Sequence, residues 1–366
     1  MGKRETDERI RALYNAGIKP YSISKLNAID GCLKEAFYTY VKGMRDEGKQ
    51  NIYGIMGGRV HEVLEQIYND NATGEDLLPA LQRDLDSADM LGVDFPRDFK
   101  GGSSIRDNWV ADMTEFCKHF EKLSGNFATE ELVVLKISET RYLIGYVDLI
   151  QIMDTESKKV KIYDFKTSSK FKKEDLLHHG RQLIVYGMGL EQAGYTIEDL
   201  AWIMLKYVEV KYMGYARVNA KNKTEITKVI QRGKLAKELS GVVEKLMTAA
   251  GYDNVDIEII LSEFRSTNSM ESLPEDIRNQ ITVAQYIEHY PYTEENKKEA
   301  LDYINSRADQ FEELQKRGED AWIPVDITQK ESFYCNNLCT YREICPHIKA
   351  YNDLMTLQKT LDEDLF

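Results

Sequence analysis

The segment with the clearest chemical potential alternates apolar and polar residues and carries two aspartates and a lysine, GYVDLIQIMDTESKKVKIYDFKTSS. The turn-forming residues in DTESKK predict a β-hairpin. A turn centred near Glu156 would pair Asp148 with Asp164, so both side chains would lie on one face about 5 Å apart. Lys166 follows two residues after Asp164 and shares that face. The hairpin therefore predicts two neighbouring carboxylates beside an ammonium group.

Two carboxylates this close repel each other unless a cation neutralises them. Mg²⁺ or Mn²⁺ suits such oxygen ligands. A neighbouring lysine can orient the attacking water or stabilise the charge that develops on a phosphate. These groups are those that metal-assisted phosphodiester hydrolysis needs. A solvated hairpin tip would carry the same residue types, so the hairpin alone leaves a metal site and a plain surface hairpin both open.

Two predicted helices flank the hairpin with further polar pairs. GRVHEVLE places His61 and Glu65 at positions i and i+4 on one helical face, and an imidazole suits Mn²⁺ as well as Mg²⁺. RQLIVYG places Gln182 and Tyr186 at the same spacing, where they can bind DNA phosphate or the catalytic lysine. A packing or surface role remains open for His61, and a core role for Tyr186.

The motifs GxxxHxxLE, GxxD, DxK and QxxxY occur in this order along the chain. Their order resembles that of the RecB-like branch of the PD-(D/E)XK nucleases. This branch includes the nuclease domains of RecB and AddB and the CRISPR-associated Cas-four-type exonucleases. The resemblance covers about residues 20–40, 55–70, 140–210 and 330–350.

The resemblance implies a Mg²⁺- or Mn²⁺-dependent DNA exonuclease. The implied metal ligands are His61, Asp148, Asp164 and the backbone carbonyl of Phe165. Lys166 would be the catalytic lysine and Glu65 a supporting acidic residue of the catalytic group. Gln182 and Tyr186 would form the substrate-side motif. An intact acidic and basic constellation favours this enzyme over a non-catalytic DNA-binding or scaffold subunit on the same fold, which remains the alternative.

Three of the five cysteines, Cys335, Cys339 and Cys345, lie within eleven residues near the C-terminus. A tetrahedral zinc ion or a [4Fe–4S] cluster needs a fourth thiolate. The resemblance implies that Cys32 is the fourth ligand. In the family the first two C-terminal cysteines usually have the spacing C-x2-C, whereas here the gap between Cys335 and Cys339 is one residue longer. Zinc, with His347 as a possible ligand, is the alternative to the cluster. Free buried thiols and a zinc recognition module attached to an unrelated enzyme also remain open, and Cys117 is predicted to be a core residue.

The predicted elements must bring these residues together. A Ser-capped helix is expected from about Ser24, with Leu26, Ile29, Leu33 and Phe37 on one face. A second helix should follow the glycines of GIMGGRVHEVLEQIYNDNATG. Strands are predicted at residues 131–138, 141–153 and 160–166, followed by a helix that ends at Gly194 and by the strand LAWIMLKYVEV. This order predicts a mixed sheet with a crossover helix.

We therefore expect an α/β (α+β) fold with a restriction-endonuclease-like mixed central sheet flanked by helices. Residues 1–350 should form a single nuclease domain, with its core at about 20–70 and 130–215. Helical insertions are predicted at about 72–128 and 222–320, a cysteine-cluster region at 330–348 and an acidic tail at 351–366.

The net charge of −13 requires a nucleic-acid binder to confine its positive potential to one groove. No apolar run approaches the roughly 18 residues of a membrane helix, and the N-terminal residues lack the apolar segment of a secretory signal. We expect a cytoplasmic protein of a bacterial or phage-infected cell that acts on DNA ends or single strands without a membrane. Since no GxxxxGK[ST] motif is present, any helicase or recombination partner would be a separate chain.

Overall fold

The computed structural model describes residues 7–44, 51–98, 100–214 and 222–363. The helices are α1 (Glu8–Asn15), α2 (Ile23–Asn27), α3 (Leu33–Tyr40), α4 (Ile52–Tyr68), α5 (Leu77–Met90), α6 (Ser104–Lys118), α7 (Leu176–Gln192), α8 (Leu235–Ala250), α9 (Asn254–Thr267), α10 (Glu275–Arg278), α11 (Glu294–Arg317), α12 (Gln329–Asn337) and α13 (Pro346–Glu363). Short 3₁₀ turns lie at Gly74–Asp76, Arg232–Lys234, Met270–Ser272 and Glu319–Ala321. The strands are β1 (Asn126–Lys136), β2 (Tyr142–Asp154), β3 (Lys159–Lys166), β4 (Thr196–Gly214), β5 (Thr224–Gln231) and β6 (Ile281–His289).

Within these ranges the six strands form one mixed sheet with the order β1-β2-β3-β4-β5, and β6 also pairs with β4. Strands β3 and β4 are parallel, and the other neighbours are antiparallel. Helix α7 connects the parallel pair, as a crossover between parallel strands requires. The predicted mixed sheet with a crossover helix is confirmed.

The hairpin of β2 and β3 has the predicted register. Leu149 lies opposite Tyr163, and Ile150 lies opposite Ile162. The same register, extended by one residue, sets Asp148 against Asp164. The register shifts by one residue between Ile152 and Asp154. The turn itself is held by Asp154, which accepts hydrogen bonds from the Glu156 amide at 3.0 Å and from the Ser157 hydroxyl at 2.5 Å.

Helices cover both faces of the sheet. On one face α2, α3, α7 and α11 enclose a core that includes Leu183, Trp202 and Trp322. On the other face α4, α5 and α6 enclose a second core around Met113 and Phe165. The crossover helix α7 buries nearly all of its second half, which is why its sequence is apolar rather than amphipathic.

The strands β1 and β2 exchange faces in their middle. Val147 and Ile150 both pack in the core beneath α7, whereas Leu149 packs in the core beneath α4. Regular alternation would place Val147 and Ile150 on opposite faces. In β1, Glu130 lies opposite this irregularity and has a φ of 51°, a conformation that costs a residue with a side chain about 1–3 kcal/mol. The sheet is therefore distorted at Asp148.

The N-terminal helices differ from the sequence prediction in their boundaries. The predicted helix from Ser24 to Phe37 is two helices, because Ser22 caps α2 and Cys32 begins α3. The intervening turn includes Gly31, which disfavours helix continuation. Helix α4 also begins before its glycines, because the side chain of Asn51 accepts a hydrogen bond from the Gly54 amide at 3.0 Å.

The prediction of a helical insertion at residues 222–320 is wrong where β5 and β6 lie. Both strands pair with the long strand β4, whose second half they flank on either side. Together with α8 and α9 they enclose a separate apolar core that includes Val210, Leu239 and Phe264. The segments TEITKVIQ and ITVAQYIEH contain the β-branched residues typical of strands, but their partner is distant in sequence.

The region predicted as a helical insertion at 72–128 contains α5 and α6, and β1 begins at its end. The region predicted as an acidic tail at 351–366 continues α13 as far as Glu363, and residues 364–366 lie outside the described residues. Residues 1–6 of the predicted domain also lie outside them. In the described part of the chain, no helix is both long and apolar enough to cross a membrane.

The contact between α7 and β1 gives a test of the packing. A Cβ atom on Gly189 would overlap Cγ1 of Val133, whereas a Cβ atom on Gly241 of α8 would meet no atom within 4 Å. We expect Gly189→Ala to lower the free energy of unfolding by about 1–3 kcal/mol through overpacking. Gly241→Ala should raise it by about 0.5–1 kcal/mol through helix propensity. Urea denaturation measures both, and a Gly189→Ala protein as stable as Gly241→Ala would contradict the helix packing.

Candidate active site

Asp164 and Lys166 form an ion pair on β3. Asp164 is only 2% exposed, and its Oδ2 atom lies 2.5 Å from Nζ of Lys166. That buried oxygen accepts no hydrogen bond of ordinary geometry from the described residues, so the ammonium group is its neutralising partner. Burial raises the pKa of Asp164, the nearby charge of Asp148 raises it further, and Lys166 opposes both effects without cancelling them.

Asp148 connects three elements of the fold. Its Oδ2 atom accepts a hydrogen bond from the Phe165 amide at 2.8 Å and lies 3.4 Å from Nδ1 of His61. The first contact joins β2 to β3, and the second joins β2 to α4. The ring of His61 also contacts the edge of the Phe165 ring, at 5.9 Å between centroids. The distortion of β2 thus places Asp148 where a strand and a helix both contact its carboxylate.

The His61 imidazole responds to the same charges. Burial alone would lower the pKa of His61, but the hydrogen bond to Asp148 and the charges of Asp148 and Asp164 outweigh burial and raise it. The site therefore contains two acidic and two basic side chains, and each carboxylate already has a cationic neighbour. As the side chains stand, no group of three or more His, Cys, Asp or Glu residues in the described ranges has the spacing to hold a metal ion.

Gln182 and Tyr186 contact each other on α7, as their i and i+4 spacing predicts. Nε2 of Gln182 donates a hydrogen bond to the Tyr186 hydroxyl at 2.8 Å. The Tyr186 ring is buried against Gly145, because a Cβ atom there would lie 2.5 Å from Cε1 of the ring. Burial raises the pKa of Tyr186, and the charges of Asp164 and Asp148 raise it further. The glycine of the GxxD motif therefore provides the space in which this tyrosine approaches the carboxylates.

Glu65 lies one turn after His61 on α4 and is partly buried. Its role as a supporting acidic residue stays a prediction, as does that of the Phe165 carbonyl as a metal ligand.

The glycines of the first motif, Gly57 and Gly58, differ in their surroundings. A Cβ atom on Gly57 would lie 3.3 Å from the Thr167 hydroxyl, and one on Gly58 would meet nothing within 4 Å. Gly57 thus permits α4 to approach the segment that follows Lys166.

Four cysteines lie together at the junction of the N-terminal and C-terminal regions. Cys32, Cys335, Cys339 and Cys345 line one small cavity, and His347 lines it as well. All four are free thiols. Burial is the main cause that raises the pKa of Cys335 to about 11 and of Cys339 to about 12. Cys117 lies on α6 and is buried in the core that α4, α5 and α6 enclose, which confirms its prediction as a core residue.

Side-chain contacts hold these two regions of the chain together around the cysteines. The Tyr334 hydroxyl donates to Glu35 at 3.1 Å, and the Tyr341 and Thr39 hydroxyls lie 3.0 Å apart. Lys34 forms an ion pair with Glu319 at 3.3 Å. Cys32 begins the helix that carries Glu35 and Thr39. The helix boundary at Cys32 therefore determines where its thiol points relative to the C-terminal cysteines.

Sequence reasoning missed two residues beside the site. Glu130 lies opposite Asp148, and its charge helps to raise the pKa of Tyr186. Nothing in the local sequence marks it, because its importance depends on the distortion of β1. Lys206 is buried in β4. Its signal was present, since it is a charged residue inside the otherwise apolar segment LAWIMLKYV.

The chain has a restriction-endonuclease-like fold, in which a mixed sheet lies between helical layers. Its central hairpin carries the two aspartates, and the lysine follows two residues after the second aspartate. The chain belongs to the PD-(D/E)XK nuclease superfamily, since a sequence model of that family matches residues 20–346. No curated protein matches the chain. Membership of this superfamily suggests nuclease activity with DNA as the substrate.

The contact between Gly145 and Tyr186 can be tested with a double-mutant cycle. We expect Gly145→Ala to lower the free energy of unfolding by about 1–3 kcal/mol, because the new methyl group overlaps the ring. In a Tyr186→Leu background the ring is absent, so Gly145→Ala should lower the free energy of unfolding by a smaller amount. The coupling energy should be about 0.5–3 kcal/mol. Strictly additive effects in urea denaturation would contradict the packing of the two motifs.

Proposed function

We propose that the protein is a Mg²⁺- or Mn²⁺-dependent DNA exonuclease of the RecB-like branch, which hydrolyses phosphodiester bonds in DNA recombination, repair or phage DNA metabolism. One observation carries the proposal. Residues from three separate motifs, His61, Asp148 and the pair Asp164 and Lys166, meet around the buried Asp164 carboxylate. The superfamily match over most of the chain supports the same chemistry.

The donor set fits a hard divalent cation. His61, Asp148, Asp164 and the Phe165 carbonyl would hold it, with one imidazole nitrogen and oxygen atoms otherwise. The buried Oδ2 atom of Asp164 needs a cation beside it, and among the described residues the ammonium group of Lys166 is its ion-pair partner. A bound ion would supply Lewis-acid activation of water and neutralise charge on the scissile phosphate.

The protein's own residues have separate tasks in this mechanism. Asp148 is held in place by the Phe165 amide, so its position does not depend on the substrate. Lys166, once released from Asp164, would donate a hydrogen bond to the attacking water or to a phosphate oxygen that gains charge. Gln182 and Tyr186 would contact the substrate strand from α7, and Glu65 would support the acidic group from α4.

DNA ends or single strands are the proposed substrate, and the proposed location is the cytoplasm of a bacterial or phage-infected cell. The net charge of −13 supports a substrate site in which positive side chains are concentrated, because the rest of the surface repels DNA. A separate helicase or recombination protein would supply unwound DNA. Residues 1–350 would act as one nuclease domain.

We expect Asp164→Asn and Lys166→Met each to reduce metal-dependent cleavage of end-labelled DNA by about 10²-fold or more, because each removes a charge that acts on the reacting groups. Single- and double-stranded substrates with Mn²⁺, Mg²⁺ or EDTA provide the measurement. Asp302→Asn and Lys298→Met change the same residue types at exposed positions of α11 and should cleave normally.

Two results would contradict this assignment. Full cleavage by both active-site variants would remove their catalytic role. A wild-type protein that binds DNA but cleaves none with either metal would support the non-catalytic scaffold instead. Circular dichroism of each variant distinguishes lost chemistry from lost folding.

We also propose that Cys32, Cys335, Cys339 and Cys345 bind a [4Fe–4S] cluster with a structural role, with Zn²⁺ as the alternative. Their common position around one cavity supports four thiolate ligands. A shared ligand set would close a loop of roughly 300 residues, so much of the conformational entropy of the unfolded chain would be removed. Buried thiols with raised pKa values become thiolates when a metal replaces the proton.

The cluster proposal predicts a coloured protein. After anaerobic purification, visible absorption with matching iron and sulfide content should appear in the wild type, and Cys335→Ser should lose both and unfold at a lower temperature. Cys117→Ser should keep the colour, because Cys117 lies in another core. A colourless protein with stoichiometric zinc would replace the cluster by zinc, and a metal-free protein would contradict both.

A further inference from the structure

A second cavity, of about 450 Å³, adjoins the candidate active site. Two of its walls come from segments that also carry residues of that site. Tyr53 lines it from α4, the helix that carries His61, and Thr167 lines it directly after Lys166. Lys206 of β4 and Asp112 of α6 are the charged residues of the lining. The cavity therefore opens beside the point where a scissile phosphate would lie.

Lys206 is unusual because it is buried and unpaired. The residue is only 6% exposed. Within the described residues its ammonium group makes no hydrogen bond and has no carboxylate within 4.0 Å, and since its Nζ atom is not fully buried, the group is open to the cavity that it lines. Burial lowers the pKa of Lys206, and the charge of Asp112 opposes this effect only in part. Burying most of a lysine side chain without an ion-pair partner for its ammonium group is unfavourable, so a role in folding does not explain its presence.

Asp112 forms no ion pair with Lys206 in the described part of the chain, and its carboxylate is bonded to other neighbours. Its Oδ1 atom accepts a hydrogen bond from the Gly233 amide at 2.9 Å, and its Oδ2 atom accepts one from Nε2 of Gln231 at 3.3 Å. These bonds hold the carboxylate towards the loop that begins at Arg232. The Lys206 ammonium therefore remains available to a ligand that enters the cavity.

The chemistry of the lining defines the ligand. Lys206 supplies a positive charge, and the hydroxyl groups of Thr167 and Ser169 supply neutral hydrogen-bond donors on the wall next to Lys166. A cation with surrounding hydroxyl donors suits a phosphate oxyanion. Tyr53 and Trp109 add aromatic surface to the same cavity, and aromatic side chains stack on nucleobases and sugars.

We propose that this cavity is a nucleotide-phosphate subsite, in which Lys206 binds the phosphate next to the scissile one and so positions the substrate strand. This inference rests on the proposed nuclease function, since it assumes that a DNA strand lies at Asp164 and Lys166. The phosphate is either a terminal monoester or an internal diester of the strand. A monoester would make the protein selective for phosphorylated ends.

Lys206→Met tests the subsite because methionine has nearly the same shape without the charge. Binding is measured by fluorescence anisotropy in EDTA, so that nothing is cleaved. The probes are one single-stranded oligonucleotide with a 5′-phosphate, with a 3′-phosphate or with hydroxyl groups at both ends. Lys206→Met should weaken binding by roughly tenfold, the typical effect of one charge-assisted hydrogen bond. Lys245→Met, an exposed position on α8, is the matched control and should bind as the wild type does.

The pattern of loss identifies the phosphate. Loss confined to one phosphorylated probe indicates a terminal monoester, and equal loss with all three probes indicates an internal diester. The melting temperature of Lys206→Met should equal or exceed that of the wild type, because an unpaired buried charge is removed. A lower melting temperature would show that the ammonium group is structural and would overturn the proposal. Unchanged binding, or no binding by the wild type, would overturn it as well.

The subsite and the nuclease function can fail separately. Binding that depends on Lys206, together with no cleavage in Mn²⁺, would reject the nuclease and keep a phosphate-binding subsite. Cleavage in Mn²⁺ with unchanged binding by Lys206→Met would keep the nuclease and reject the subsite.

Discussion

The carboxylates of Asp148 and Asp164 repel each other in a buried part of the molecule, and the surrounding residues offset that repulsion. Lys166 neutralises Asp164, while His61 and the Phe165 amide stabilise Asp148. Removing such groups from water costs several kcal/mol per ion. A fold selected for stability alone would replace them with apolar residues of similar volume. Their retention in the centre of the sheet is the physical reason to assign them a function.

The backbone is adapted to this group of charges. The exchange of faces in β1 and β2 occurs where Asp148 and Glu130 lie opposite each other, and Glu130 adopts a costly positive φ. Two glycines let the neighbouring helices approach, Gly145 beneath Tyr186 of α7 and Gly57 of α4 beside Thr167. Strain and close packing of this kind are typical of positions where geometry serves chemistry. The hairpin, α4 and α7 therefore function as one support.

The sequence predicted the hairpin because turn residues and strand periodicity determine its register locally. The family resemblance also predicted that Cys32 groups with the C-terminal cysteines. The sequence did not predict the distortion at Glu130, since no glycine or proline marks that residue. It missed β5 and β6 because their pairing partner, β4, is distant along the chain. The surroundings of Lys206 come from four separate segments, so only the folded structure shows that this lysine lacks an ion-pair partner among the described residues.

The distribution of charge also explains how an acidic chain can bind DNA. Several basic residues form ion pairs with neighbouring acids, for example Arg141 with Asp309 and Lys297 with Glu191. Such pairs leave little net positive potential. Lys166 and Lys206 lie on the parallel strands β3 and β4, close to one another in register and beside the candidate site. Low-polarity surroundings strengthen the interaction of each with an incoming phosphate. A few buried cations at the carboxyl end of a parallel strand pair can therefore attract a strand that the rest of the surface repels.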